Sequence, residues 1–261
     1  MDILDKIVAN KRREIALKES LIPIEQLEKT VLFQRATYSL VRRLKNSKAG
    51  VIAEHKRRSP SKSVINQDLS VEAIVKGYMA AGACGISVLT DSKYFGGSLE
   101  DLLLARASVN IPLLRKEFIV EEYQVVEAKA YGADVILLIA ALLSRKEIRK
   151  LADLAKSLEM EVLLEVHNEK ELHMALMPSL DLLGVNNRNL KTFEVSLETS
   201  RSLAPLIPDG FIKVSESGIS SLPAISELTP FGYRGFLIGE YFMKSEDPGS
   251  KAADFIKKIK E

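Results

Sequence analysis

Residues 51–56 read VIAEHK, a short apolar, β-branched run that ends on charge. Seven more runs of the same make follow at fairly even spacing: GISVLT (85–90), PLLRK (112–116), DVILLIA (134–140), EVLLEV (161–166), DLLGVN (181–186), FIKVSE (211–216) and GFLIG (235–239). Each has the length and the Val, Ile and Leu content of a buried strand. Helical periodicity fills the gaps. Val71, Ile74, Val75 and Tyr78 share one face of 71–82, which stops at Gly82. Leu102, Leu103, Arg106 and Ala107 lie in the next helix, and 120–131 ends at Gly132, a suitable C-cap. Ser144 with Glu147 makes a capping box for 144–158, Asn168 opens 168–177, and Ala252, Phe255, Ile256 and Ile259 form the apolar face of 250–260. Strand and helix in alternation imply βαβ units and a parallel sheet. An open doubly wound sheet is the competing arrangement. Eight runs filling 51–261, with no glycine fingerprint after the first, favour an α/β fold closed on itself, a single (β/α)8 TIM barrel, which typically takes ~250 residues.

Residues 1–48 precede the first strand. Ile3, Leu4, Ile7 and Val8 make an apolar helical face, and the charge run Lys11-Arg12-Arg13 reads as a solvated one. The expectation is one domain over 1–261, with a helical extension (1–48) packed on the barrel (49–261). The chain is 46% hydrophobic and 28% charged, enough for a core and far from the composition of disorder. Its 37 basic and 35 acidic residues leave a net charge of +2, which gives no electrostatic reason to expect nucleic acid as partner. The single cysteine, Cys84, excludes an internal disulfide and fits a reducing compartment; its Ala-Gly-Ala-Cys-Gly setting suggests a small, buried, inert residue. The opening residues are charged from the second onward and lack an apolar signal core, and no stretch approaches the ~20 apolar residues of a membrane helix. A cytoplasmic protein, a monomer or weak homodimer, is expected.

Barrel enzymes place their chemistry where strands end and the following loops begin. Side chains alternate along a strand, so Glu54 and Lys56 share the face of Ile52, while His55 points toward the helices. In the same way Lys116 is in phase with Leu114, Glu165 with Leu163, Asn186 with Arg188, and Glu216 with Val214. Lys56, Lys116 and Arg188 thus face Glu54, Glu165 and Glu216, three charges against three. Such a set is tolerable at a barrel mouth, whereas an unbalanced one would shift its pKa values. A second pattern suits an anion. Ser59 lies in the loop after the first strand, Ser217-Gly218 follows the seventh, and Gly239-Glu240 follows the eighth. Loops after strands seven and eight often hold phosphate, using backbone N–H groups that glycine lets approach closely.

The stretches IAEHKRRSPSK (52–62), LRKEFI (114–119), VLLEV (162–166), GVNNRNL (184–190), VSESGI (214–219) and FLIGE (236–240) together closely resemble indole-3-glycerol phosphate synthases, in order and in separation along nearly the whole chain. The Glu-x-Lys-x-x-Ser-Pro-Ser stretch is the most specific of them. The resemblance implies conversion of 1-(o-carboxyphenylamino)-1-deoxyribulose 5-phosphate to indole-3-glycerol phosphate, carbon dioxide and water, in tryptophan biosynthesis, with no metal or organic cofactor. Consistent with that, His55, His167 and His173 fall in no metal-ligand motif. It also implies roles. Lys116 matches the general acid for the ketone oxygen, and Lys56 suits the departing carboxylate and is a second candidate acid for the lost hydroxyl. Glu165 matches the base that lets the ring aromatise, and Glu54 and Glu216 hold the lysines charged. Asn186, Arg188 and Ser217 contact or position substrate, and Ser59 with the N–H groups of Gly218, Gly239 and Glu240 holds the phosphate. A lysine acid predicts activity loss at high pH, near its ordinary value of ~10.4, so that a profile flat to about pH 11 counts against it.

Some positions depart from the family pattern: His55 for an apolar or aromatic residue, Ser63 for a glycine, and a bulky Tyr241-Phe242 pair expected to narrow the region beside the phosphate. A phosphoribosyl anthranilate isomerase, which needs a cysteine in its acid/base pair, is disfavoured because Cys84 lies before the second strand and not at a strand end. A non-catalytic phosphate-binding barrel would have lost part of the set Glu54, Lys56, Lys116 and Glu165, all of which are present.

Overall fold

The computed structural model describes residues 3–59, 64–66, 69–190 and 192–261. Ser63 and the Pro60-Ser61-Lys62 part of the strand-one loop fall outside them, as do the side chains of Met1 to Ile3. Eight strands, β1 (Gly50–His55), β2 (Gly85–Leu89), β3 (Leu113–Lys116), β4 (Val135–Ile139), β5 (Glu161–Val166), β6 (Leu182–Asn186), β7 (Ile212–Glu216) and β8 (Tyr233–Ile238), pair in parallel in chain order. β1 also pairs with β8, Gly50 opposite Gly235 and Ala53 opposite Ile238, which closes the barrel and excludes the open sheet.

Period-two alternation sorts the strands into two cores. Ile52, Leu114, Leu137, Leu163, Val214 and Leu237 fill the barrel interior, while Val51, Ala53, Ile86, Val88, Leu164 and Val185 pack outward under the helices. His55 is outward and buried, as its phase requires. The helix Arg145–Ser157 starts on the capping box of Ser144 and Glu147, and Gly132 takes the left-handed φ of +89° that ends Glu122–Ala130. In Leu99–Ser108 the buried face is Leu99, Leu102, Ala105 and Arg106. Leu103 is 42% exposed, while Arg106 turns inward to Asp134 at 2.9 Å.

The extension does two jobs. Its short helix Leu40–Lys45 plugs the bottom of the barrel with Leu40 and Leu44, and Glu161 at the start of β5 accepts the N–H groups of Leu40 and Val41 at 2.8 and 3.0 Å. A carboxylate there satisfies donors that a helix start leaves unpaired. The long helix Ile3–Leu21 reaches the opposite end, the mouth. Cys84, immediately before β2, is half-buried and less enclosed than expected; burial pushes its thiol up, which disfavours the reactive thiolate, and it lies at the end of the barrel away from the mouth.

Candidate active site

Each odd-numbered strand sends one charged side chain into the top of the barrel: Glu54 from β1, Lys116 from β3, Glu165 from β5 and Glu216 from β7. The next level down comes from the even strands, Ser87, Leu137, Gly184 and Leu237, and the level below that is Ile52, Leu114, Leu163 and Val214. This is the layered filling of a barrel, with its uppermost layer ionic instead of aliphatic.

Lys116 Nζ donates to Glu165 Oε2 at 2.8 Å and also to Glu216 Oε2. Lys56, one residue past β1, donates to Glu54 Oε1 at 2.6 Å, and Ser87 Oγ donates to the other oxygen of Glu54 at 3.3 Å. Asn186 Nδ2 donates to Glu165 Oε1 at 3.1 Å while its Oδ1 accepts the Arg188 N–H at 3.0 Å. Arg188 departs from the expected pairing. Its loop folds back in an isolated bridge to Val195, and the guanidinium donates to the Phe193 carbonyl at 3.0 Å, at the rim. Among the described residues the interior set is therefore two ammonium groups, Lys56 and Lys116, against the three carboxylates of Glu54, Glu165 and Glu216.

Burial raises the Glu216 carboxyl to about 7 against the pull of Lys116, with Glu165 and Glu54 pushing the same way as burial. Glu165 has the same burial, but Lys116 and His167 and the hydrogen bonds from Lys116 and Asn186 outweigh it and hold Glu165 at about 2. Burial alone would lower Lys116; the carboxylates of Glu165, Glu216 and Glu54 instead hold its ammonium above the ordinary lysine range. Its deprotonation thus lies higher than the sequence alone suggested.

Above the ring opens a cleft of about 440 Å³. One wall is apolar: Ile7 of the extension, Phe95, Phe118 and Ile139, with Phe95 and Phe118 ring centroids 5.9 Å apart. The other carries Ser59, Ser217, Gly218, Gly239 and Glu240. Ser217 and Gly218 are both left-handed, at φ +65° and +80°, a backbone cost for the serine that tends to be met at functional turns. Asn187 holds this turn, donating to the Ser217 carbonyl at 3.1 Å. The Glu240 carboxylate pairs with Lys244 at 2.8 Å. Tyr241 lines the cleft as expected, but Phe242 is fully buried in the core against Tyr78 and Phe255 and narrows nothing.

Several participants carried no signal that sequence reasoning used. Lys11, expected on a solvated face, has a side chain only 3% exposed: its Nζ lies 2.9 Å from Asp91 Oδ2, 3.2 Å from Glu117 Oε1 and 2.9 Å from Glu14 Oε2. It fastens the extension to the ends of β2 and β3. Gly184 supplies the space for Glu216, since a Cβ there would stand 2.3 Å from Glu216 Oε1. His167 Nε2 lies 3.4 Å from Glu165. Lys11, at helical spacing from Ile7, and His167, two residues beyond Glu165, lie on faces the pattern offers, but the partners that give them their roles do not show in local sequence.

Among the described residues no helix is long and apolar enough to cross a membrane. A closed barrel whose mouth sets an ammonium between two carboxylates, under a cleft half apolar and half polar, defines a barrel enzyme of acid/base type. Comparison with known proteins gives the family. The sequence profile of indole-3-glycerol phosphate synthase matches residues 4–255. The chain belongs to that family, and so is a carboxy-lyase of tryptophan biosynthesis. It is 48% identical to the indole-3-glycerol phosphate synthase of Bacteroides thetaiotaomicron, over 99% of both chains, and 48% identical to that of Chromobacterium violaceum, over 95% of both. Among solved structures, a thiamine phosphate pyrophosphorylase from Pyrococcus furiosus superposes with a TM-score of 0.60 at 16% identity, covering 82% of this chain and 98% of that one, a likeness of fold alone.

Proposed function

We propose that the ring of Glu54, Lys116, Glu165 and Glu216, with Lys56, carries out the ring closure of 1-(o-carboxyphenylamino)-1-deoxyribulose 5-phosphate. The observation that carries this reading is the Lys116 ammonium, shared between Glu165 and Glu216 at the floor of the cleft. The substrate's aryl group lies against Phe95 and Phe118, and its phosphate against Ser59 and the N–H groups of Gly218, Gly239 and Glu240. Attack of the aryl carbon on the ketone puts negative charge on the ketone oxygen, and Lys116 donates its proton there. As that proton leaves, the charge that depresses Glu165 is gone. Its Oε2 becomes free and more basic at the stage when the ring must lose a proton. Glu216 keeps Lys116 charged and aimed, and Glu54 does the same for Lys56, which holds the carboxylate until it departs as carbon dioxide and is the second candidate acid for dehydration. Asn186 orients Glu165, and Arg188 and Ser217 reach the substrate from the rim.

Gly239 has a second use. A Cβ there would approach Glu54 Oε1 to 2.6 Å, so the residue gives room to the carboxylate as well as to an anion. We also infer a cytoplasmic protein with no nucleic-acid partner, a monomer or weak homodimer, in line with its net charge of +2. The test is indole absorbance with substrate added to the parent and to Glu165→Gln. Turnover in the parent and substrate binding without indole in the variant are expected. Indole at the parental rate from Glu165→Gln contradicts the base assignment.

A further inference from the structure

We propose that His167 is the positioning residue of Glu165, an imidazole clamped between Glu171 and Glu165 that keeps one carboxylate oxygen fixed while the other does chemistry. This inference rests on the reading of Glu165 as the base. His167 is the residue after β5, in phase with Glu165 two positions earlier. Its Nε2 lies 3.4 Å from Glu165 Oε1 and its Nδ1 lies 3.1 Å from Glu171 Oε2. The ring is 11% exposed, and Nε2 has no conventional hydrogen-bond partner among the described residues, so Glu165 is what it faces.

Glu171 is itself immobilised. Its Oε2 also accepts the His167 backbone N–H at 2.8 Å, its Oε1 accepts Asn168 Nδ2 at 2.6 Å, and its own N–H donates to Asn168 Oδ1 at 2.9 Å, the cap of the helix Glu169–Ala175. A capped helix start thus anchors the imidazole from behind. Asn186 Nδ2 donates to Glu165 Oε1 and His167 Nε2 lies 3.4 Å from the same oxygen, while among the described residues Oε2 is bound by Lys116. When Lys116 turns to the substrate, Oε2 is released and Oε1 stays held.

The charged groups around the ring are Glu165 on β5, Glu171 on the following helix and Glu216 on β7, with Lys116 of β3 beyond Glu165. Burial would lower the imidazole's pKa, but the Glu171 hydrogen bond and the charges of Glu165, Glu171 and Glu216 hold it above its ordinary value. A doubly protonated ring turns one N–H toward each carboxylate.

The test combines titration of the histidine ring nitrogens by NMR with pH profiles of kcat. His167 should titrate above the ordinary ~6.5 in the parent and about one unit or more lower in both Glu165→Gln and Glu171→Gln. His167→Ala should lose up to about 10²-fold in kcat with KM unchanged, the scale of a small misplacement of a catalytic group. His167→Gln, which keeps an N–H donor, should recover part of that loss and lack the ionisation. A His167 titration unmoved by Glu165→Gln, or a parental kcat and pH profile in His167→Ala, overturns the proposal. If Glu165→Gln is inactive and His167→Ala is not, only the histidine's role falls; if Glu165→Gln turns over normally, the base assignment itself has failed.

Discussion

Gly184→Ala adds one methyl group inside the barrel mouth, against a buried carboxylate. The added Cβ would stand 2.3 Å from Glu216 Oε1 and 3.2 Å from Leu163 Cδ1, where ordinary contact begins at 3.4 Å. Glu216 must retreat by about 1 Å, and its side chain is only 2% exposed, so there is no open side to move into. Its bond to Lys116 is what gives way. Overpacking of this kind costs about 1–3 kcal/mol, and each kcal/mol lowers Tm by about 2–4 °C in a chain of this size. Displacing a catalytic group by about 1 Å can cost ~10²-fold in rate. Steady-state indole formation, with a thermal melt followed by circular dichroism, should show kcat reduced ~10²-fold, KM little altered and the fold retained at a lower Tm. A parental kcat in a variant that melts lower would refute the reasoning, because Glu216 would then not depend on that space to reach Lys116.

Glu216, Lys11 and Lys116 each give a further expectation. A carboxyl raised to about 7 binds its proton more tightly folded than unfolded, so Glu216 subtracts stability as pH rises from the unfolded value of ~4.3 through 7. Glu216→Gln should therefore melt above the parent near pH 8, lose that advantage near pH 5 and make indole far more slowly; a lower melt near pH 8 contradicts this. Lys11→Met leaves Asp91 buried without its cation, and Glu117 with Arg115 at 3.7 Å, and should cost about 3–5 kcal/mol in urea unfolding, whereas a parental midpoint would mean that Lys11 is solvated. Burial would lower Lys11, but Glu117 and Asp91 hold it above the ordinary range, so its stabilisation is complete below about pH 10.4 and fades only above it, in the parent and not in Lys11→Met. The alkaline fall of kcat/KM from Lys116 should likewise lie above ~10.4, and a fall centred near neutrality would mean that the carboxylates do not hold it.

Strand and helix order was legible because period-two and period-3.6 patterns repeat along the chain, and the strand ends of β1, β3, β5 and β7 announced themselves as charges where a core is expected. The alternation rule placed His55, Glu54 and Lys116 correctly. It failed at Arg188, which lies past the end of β6, where a loop and not a strand sets its direction. Lys11 was hidden because burial of a cation depends on partners 80 or more residues away, which no local pattern records. Gly184 was hidden for the opposite reason: its role is the atoms it lacks, and those matter only once Glu216 stands above it. Short helices such as Leu222–Leu228 and Glu240–Met243 are too brief to show a period.

The most direct test of the account is kcat for Lys116→Ala beside the parent, at saturating substrate and with substrate affinity measured independently. A loss of about 10²–10⁴-fold with affinity nearly intact is predicted for removal of a general acid. Parental turnover in Lys116→Ala would contradict the assignment of Lys116 as the acid, and with it the chemistry assigned to the ring.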